Sequence, residues 1–428
     1  MKTRQGGLAV ATVVVAVALG ISGCASSHGP AVPSAASRAA GASGNPAAPA
    51  VPTSVPPGET GLAITTVGQL TLAGQRFDPP APASPANPAG DGKAACPRLT
   101  VAVVGDLSTR DGIDGTAIAN GAQLAVDQHN AANPRCQLVV RRTDTKGNGV
   151  VAAEEARRLA ARPDVVAVIG PLTSSDALAA GPTFHAAGLV NLSPSATAPT
   201  LTDKGWKTFF RGVNNDDVQG AAIARYLVGA GGRKKVCVIA DNTDGGAGLA
   251  RAVTQGLGGA AVQACSTGIQ RGSHAYGPAV DAVVKAAADG VYFAGSARDG
   301  GAFAAALRQA APTVVFAAGD EANNPDFLAF AGAGADGALL SCSCSPAPDA
   351  FSAAYATRFG GPPARYSLEA YDLATVIIRG IAAGKQTRPH LRAYVADYSG
   401  DGLSRHYQWA PTGDLIGNTV WLSRVGPA

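Results

Sequence analysis

The sequence is poor in charge and in aromatic rings: Asp, Glu, Lys and Arg make up 15% of its 428 residues, and Phe, Trp and Tyr only 5%. With no long basic run and few rings to stack bases, it carries no footprint for nucleic acid. Its six histidines are scattered without the HxxxH spacing of a metal site, and no cofactor is expected. No G-x-S-x-G elbow, P-loop or nucleophile–base pair can be traced, so nothing points to an enzyme. The stretch GAGADG, Gly332 to Gly337, fits GxGxxG but precedes a strand, the wrong context for a dinucleotide, and reads as a turn. Beyond the first 24 residues no apolar run is long enough to span a bilayer. What the chain does have is 46% apolar residues, enough for substantial cores in two or three domains. Its net charge is +4.

Residues 1–24 read as an export signal. Lys2 and Arg4 precede the uncharged run Leu8 to Leu19, which is too short to cross a membrane comfortably. Ile21-Ser22-Gly23-Cys24 resembles a bacterial lipobox. That resemblance implies cleavage before Cys24 and acylation of its thiol; the alternative is an ordinary signal with a chance cysteine. Two or more acyl chains anchor firmly, so the expected location is the outer face of the cell membrane, with the lipid as the only tether. Residues 25–95 are mostly Ala, Pro, Ser and Gly and predict a flexible to partly extended linker. One island, Leu62 to Phe77, alternates apolar and polar residues around Gly68 and suggests a small hairpin.

From Cys96 onward short β-branched runs alternate with helical patterns. Strands are expected at Leu99 to Val104, Gln137 to Arg141, Val165 to Ile169 and Leu189 to Leu192, with helices between them. The pattern restarts after Asp217, with strands at Lys235 to Ala240, Ala261 to Cys265, Gly290 to Ala294 and Thr313 to Phe316. This alternation predicts an α/β fold of two doubly wound parallel-sheet lobes.

Seven cysteines suit an exported protein, and six remain if Cys24 is lipidated. Cys96 and Cys136 each precede a strand, and those strands should be neighbours. Cys237 and Cys265 sit on another expected pair of neighbours. Cys342 and Cys344 are left over, as a strained bridge across one residue, a free dithiol or a metal site.

Two hydroxyl-rich turns stand out. Gly170-Pro171 ends the strand Val165 to Ile169, and Thr173, Ser174, Ser175 and Asp176 follow with helix-capping chemistry. The next strand ends in Ser193-Pro194-Ser195-Ala196-Thr197. Both turns lie at carboxyl ends of parallel strands, where open α/β sheets bind ligands, and a helix N-terminus there offers N–H groups to an anion. Capping alone would also account for either turn. Together GPLTSS and LSPSATAP resemble the ligand turns of the type I periplasmic binding proteins, in their leucine/isoleucine/valine-binding branch of ABC-transporter receptors. VAVVGDLS near Val101 and YDLA near Tyr371 extend the resemblance from Leu99 to the C-terminus.

The resemblance implies three crossings between the lobes, near residues 212–215, 342–345 and 412–417. Lobe 1 would then be residues 96–213 with 343–414, and lobe 2 residues 214–342 with 415–428. Ser174 and Thr197 would hold a ligand carboxylate, helped by backbone groups of Thr173 and Ser195, with Ala196 in the wall. Glu321 would bind an α-ammonium, with Asp320 as the competing acid. Where the family often has aromatic residues, Asp114, Gly245 and Ser296 stand here, so the anchor for an amino-acid backbone is kept and an apolar side-chain pocket is not. Asp114, Asp244, Arg298 and Asp299 would make the cleft polar. The expectation is a lipid-anchored solute-binding protein for an amino acid or polar amino-acid-like solute, delivering it to an ABC permease. The competing expectation is a ligand-sensing module of a surface signalling system.

Overall fold

The computed structural model describes residues 61–108 and 115–428. The export signal with Cys24, the linker up to residue 60, and Asp114 lie outside the described residues. β1 (Leu62–Thr71) and β2 (Arg76–Phe77) form an antiparallel pair. The first lobe follows as β3 (Leu99–Gly105), α1 (Gly115–Ala132), β4 (Leu138–Asp144), α2 (Gly149–Ala160), β5 (Val165–Ile169), α3 (Ser174–Ala186), β6 (Val190–Ser193) and β7 (Phe209–Arg211). Its five strands are all parallel, in the order β4-β3-β5-β6-β7. Every residue of β3 and β5 is buried because helices cover both faces.

The chain then crosses to α4 (Asp216–Val228), β8 (Val236–Asp241), α5 (Asp244–Leu257), β9 (Thr267–Ile269), α6 (Gly277–Lys285), β10 (Gly290–Ala294), α7 (Ala297–Ala310), β11 (Val315–Ala318), α8 (Pro325–Ala331) and β12 (Leu339–Cys342). It returns through α9 (Asp349–Phe359), α10 (Ser367–Ala382), α11 (Arg388–Ala396) and the small hairpin β13 (Ser399–Asp401) and β14 (His406–Gln408). A third crossing leads to β15 (Thr419–Pro427), antiparallel to β12. Helix α10 is the spine of the first lobe. Fourteen of its residues are buried, and it lies so close to α1 that a Cβ on Gly121 would stand 2.0 Å from the Ser367 carbonyl. The two lobes of parallel sheet joined by three crossovers are the architecture expected from the sequence.

The second sheet is wider than the parallel pattern predicts. Its order is β2-β1-β15-β12-β11-β10-β8-β9, with an antiparallel edge. The strand expected at Ala261 to Cys265 is displaced: Ala261 makes one isolated bridge to Val236, Gln263–Cys265 is a 3-10 turn, and the ladder runs at β9. The cause is Ser266, whose Oγ accepts the Val238 N–H and donates to the Val262 carbonyl, taking the place of ladder bonds.

The island 62–77, expected as a hairpin, and residues 78–95, read from composition as linker, are held on both lobes. β1 pairs with β15 from Leu62 opposite Pro427 to Thr71 opposite Thr419, and Leu70 is wholly buried. On the first lobe, Ala86 N–H donates to Asp401 O (2.7 Å), Asn133 Nδ2 to Ala89 O (2.9 Å), and Ala94 N–H to Asn133 Oδ1 (3.0 Å). Composition concealed the attachment of residues 78–95 because their own contribution to it is made by backbone groups, to which side-chain composition is blind. Bridges join Cys96 to Cys136, Cys237 to Cys265 and Cys342 to Cys344.

Candidate ligand-binding cleft

In the first lobe the two hydroxyl-rich turns are stitched to each other. Ser193 Oγ donates to Pro171 O (2.6 Å) and Ser195 Oγ to Leu172 O (2.7 Å), while Ser174 Oγ accepts the Ala198 N–H (3.1 Å). Thr173 caps α3 by accepting the Asp176 N–H. Asp176 itself is buried beneath the turn and accepts from Thr145 Oγ1 (2.6 Å); burial pushes its carboxyl above the usual range. The first N–H groups of α3, on Ser174 and Ser175, have no acceptor within the helix and belong to cavity-lining residues.

A residue the sequence reading passed over holds the second turn in shape. Arg211, at the end of β7, is completely buried. Its guanidinium donates to Ala196 O (2.6 Å), Ala198 O (2.9 Å) and Asp414 Oδ1 (2.9 Å). An arginine closing a strand has no local pattern to mark it.

The facing wall comes from the second lobe. Helices α5 and α7 begin here, capped by Thr243 and Ser296. Asp320 and Glu321 occupy a 3-10 turn after β11. Asp320 is engaged by the protein: Tyr366 OH donates to its Oδ2 (2.6 Å) and Gln219 Nε2 to its Oδ1 (3.3 Å). Arg365 also donates to its carbonyl. Tyr366 and Arg365 come from the first lobe, so these bonds join the lobes. Glu321 pairs through Oε2 with Arg271. Burial pushes the Glu321 carboxyl upward, against the opposing pull of Arg271. Of the two acids, Glu321 is the one with a carboxylate oxygen, Oε1, that makes no hydrogen bond among the described residues.

Thr173, Ser174, Ser195, Thr197, Asp320 and Glu321 thus line one cavity of about 660 Å³ between the lobes, together with Asp244, Gly245, Ser296 and Arg298. Ala196 does not line it: it is wholly buried in a small cluster with Ala177, Leu201 and Phe209, because Arg211 draws its carbonyl inward. Asp299 is also turned inward, accepting from Tyr276 OH (2.7 Å) and Ser296 Oγ (2.8 Å). Asp114 lies outside the described residues. Lys146, Arg271, Arg365 and Tyr366 line the cavity as well and were not singled out from the sequence. They sit on loops from separate parts of the chain, with no shared spacing. The volume suits a small solute, and the wall is mixed in charge.

Comparison with known proteins agrees with this architecture. A Leu/Ile/Val-binding protein of Rhizobium johnstonii is 27% identical over 289 residues, 66% of this chain and 78% of that one. A leucine-, isoleucine-, valine-, threonine- and alanine-binding protein of Pseudomonas aeruginosa is 26% identical over 73% of this chain and 79% of its own. Among solved structures, the branched-chain amino acid transporter substrate-binding protein of Streptococcus pneumoniae, in complex with isoleucine, superposes with a TM-score of 0.70. Its identity is 25%, covering 76% of this chain and 95% of that one. These relatives are binding proteins, not enzymes. The family model described as periplasmic binding protein matches residues 98–426, and the chain belongs to that family.

Proposed function

We propose that the protein is a lipid-anchored extracytoplasmic receptor that captures an amino acid, or a polar amino-acid-like solute, for an ABC importer. The observation that carries this reading is the meeting of two opposite kinds of group in one interlobe cavity. Hydroxyl-rich turns, with the chemistry to bind an anion, stand on the first lobe at Ser174 and Thr197, and a carboxylate stands on the second at Glu321. A zwitterion held between them has a partner for each charge as closure removes water. The lobes, residues 96–213 with 343–414 and 214–342 with 415–428, move as units about the three crossings. Gly245 and Ser296 put no aromatic ring at their own places on the cavity wall, and Arg298 and Asp244 add charge to it, which favours a polar solute over leucine. The transporter role rests on the relatives, and the anchor on Cys24.

The test is a thermal-shift screen of the twenty common L-amino acids, their amides and small acids, followed by calorimetry. A ligand at about 100 times its Kd stabilises by about 2.7 kcal/mol. Glu321→Gln is expected to weaken binding by roughly 10²- to 10³-fold while leaving the fold intact, and Asp320→Asn to cost less. Equal affinity in Glu321→Gln and the parent would end the ammonium assignment.

A further inference from the structure

The Glu321 carboxylate has a built support behind it. Arg271 lies between two acids, its Nη2 on Glu321 Oε2 and its Nε 3.5 Å from Asp241 Oδ2. Asp241 ends β8 and its side chain is fully enclosed. The fold makes room for it with two glycines: a Cβ on Gly246 would stand 2.2 Å from Asp241 Oδ1, and one on Gly295 would stand 3.0 Å from its side chain. Thr243 fixes the same carboxylate by donating its N–H (3.1 Å) and its hydroxyl (2.5 Å) to Oδ1. The loop carrying Arg271 is pinned as firmly. Asn242 Oδ1 accepts the Arg271 N–H (2.9 Å), and buried Asp299 accepts the Gly272 N–H. Glu321 Oε1 lies 3.9 Å from where a Cβ on Gly245 would stand, on the side of another cavity-lining residue.

We propose that Arg271 is a positioning residue of the ligand site: ion-paired with buried Asp241, it holds Glu321 by one oxygen and leaves the other for the ligand ammonium. The proposal rests on Glu321 being the ammonium partner. Its physical content is electrostatic. Among the described residues, the charged groups around Glu321 besides Arg271 are Asp320 on its own turn, Asp241 behind it, Asp244 at the start of α5, Arg298 and Asp326 at the starts of α7 and α8, Lys146 in the first lobe, and Arg365 ahead of α10. Arg365 favours ionisation of Glu321, and Asp241 and Asp320 oppose it. Without Arg271 they favour the protonated carboxyl, which cannot pair with an ammonium. A lysine at 271 restores charge but not the fork that reaches both acids.

Two measurements test this. The first needs no ligand: carboxyl ¹³C titration of Glu321, its resonance identified by its loss in Glu321→Gln. Glu321 is expected to titrate at higher pH in Arg271→Gln than in the parent, with Arg271→Lys between them. The second is calorimetry with the tightest-binding L-amino acid of the screen. Arg271→Gln is expected to lose about 10²-fold in affinity at neutral pH and less than that at a more alkaline pH, where more of Glu321 is ionised. A residue that merely shaped the loop would weaken binding equally at both. Thermal melting of the two variants checks that each is folded. An unchanged Glu321 titration in folded Arg271→Gln overturns the proposal while leaving Glu321 as ammonium partner. Undiminished binding by Glu321→Gln, or no binding of any amino acid by the parent, removes the ammonium reading and this proposal with it.

Discussion

Asp216 is the buried acid with the clearest consequence for the whole. It opens α4 directly after the first crossing, and its N–H donates to Thr197 O (3.0 Å), tying the ligand turn to the second lobe. Its side chain is 2% exposed. Burial first, and the nearby Asp320 charge second, push its carboxyl up to about 7, against the Thr197 hydroxyl and Arg211, which favour the ion. A folded value above the ordinary one of about 4 means that the folded chain binds the extra proton more tightly. Stability from this group is therefore full below about pH 4 and is lost as pH rises through about 7. Asp216→Asn cannot ionise. Relative to the parent, its gain in stability should be small near pH 4 and reach roughly 2–4 kcal/mol above pH 7. Urea unfolding at acidic and mildly alkaline pH measures this; a pH-independent difference would show that Asp216 is not the titrating group.

At the scale of elements, the unexpected piece is the N-terminal segment. It contributes β1 to the edge of the second sheet and then packs along α1 of the first lobe, so that residues 78–83 pass from one to the other. The passage reads Asp-Pro-Pro-Ala-Pro-Ala, and its three prolines stiffen it. Asn133 is the fastening on the first lobe. It is buried, donating to Ala89 O and accepting from Ala94 N–H. Asn133→Ala leaves both backbone groups without this partner and should cost about 1–3 kcal/mol. It should also speed tryptic cleavage after exposed Lys93, because local release precedes cutting. Cleavage at the parent rate would mean that other contacts hold the segment.

For the whole molecule, the question is where the receptor works. Among the described residues no helix is long and apolar enough to cross a membrane. The proposed tether is the acylated Cys24, followed by a segment rich in Ala and Pro before β1. Cys24→Ala, expressed with labelled fatty acid in a bacterial host, should lose both the label and membrane retention while keeping ligand affinity. Label and retention equal to the parent would refute the anchor.

The periodicity of short apolar strands and capped helices is local, so the alternation of α and β, and with it the two-lobed class, was legible in the sequence alone. The turns at Ser174 and Thr197 were legible for the same reason: each is a contiguous run with cap chemistry. So was the pair Cys96–Cys136, which follows from strand adjacency; Cys237–Cys265 also forms, although Cys265 stands in a 3-10 turn just before its strand rather than on it. Only the tertiary structure decided that both carboxylate oxygens of Asp320 are engaged by the protein, since Tyr366 and Gln219 reach them from distant segments. It alone decided that Ala196 and Asp299 turn inward, that Arg211 shapes the second turn, and that Arg271 stands behind Glu321. Each of these choices is a competition between groups far apart in the chain for the same buried oxygen or proton. Packing brings the competitors together, and no spacing along the sequence records which one wins.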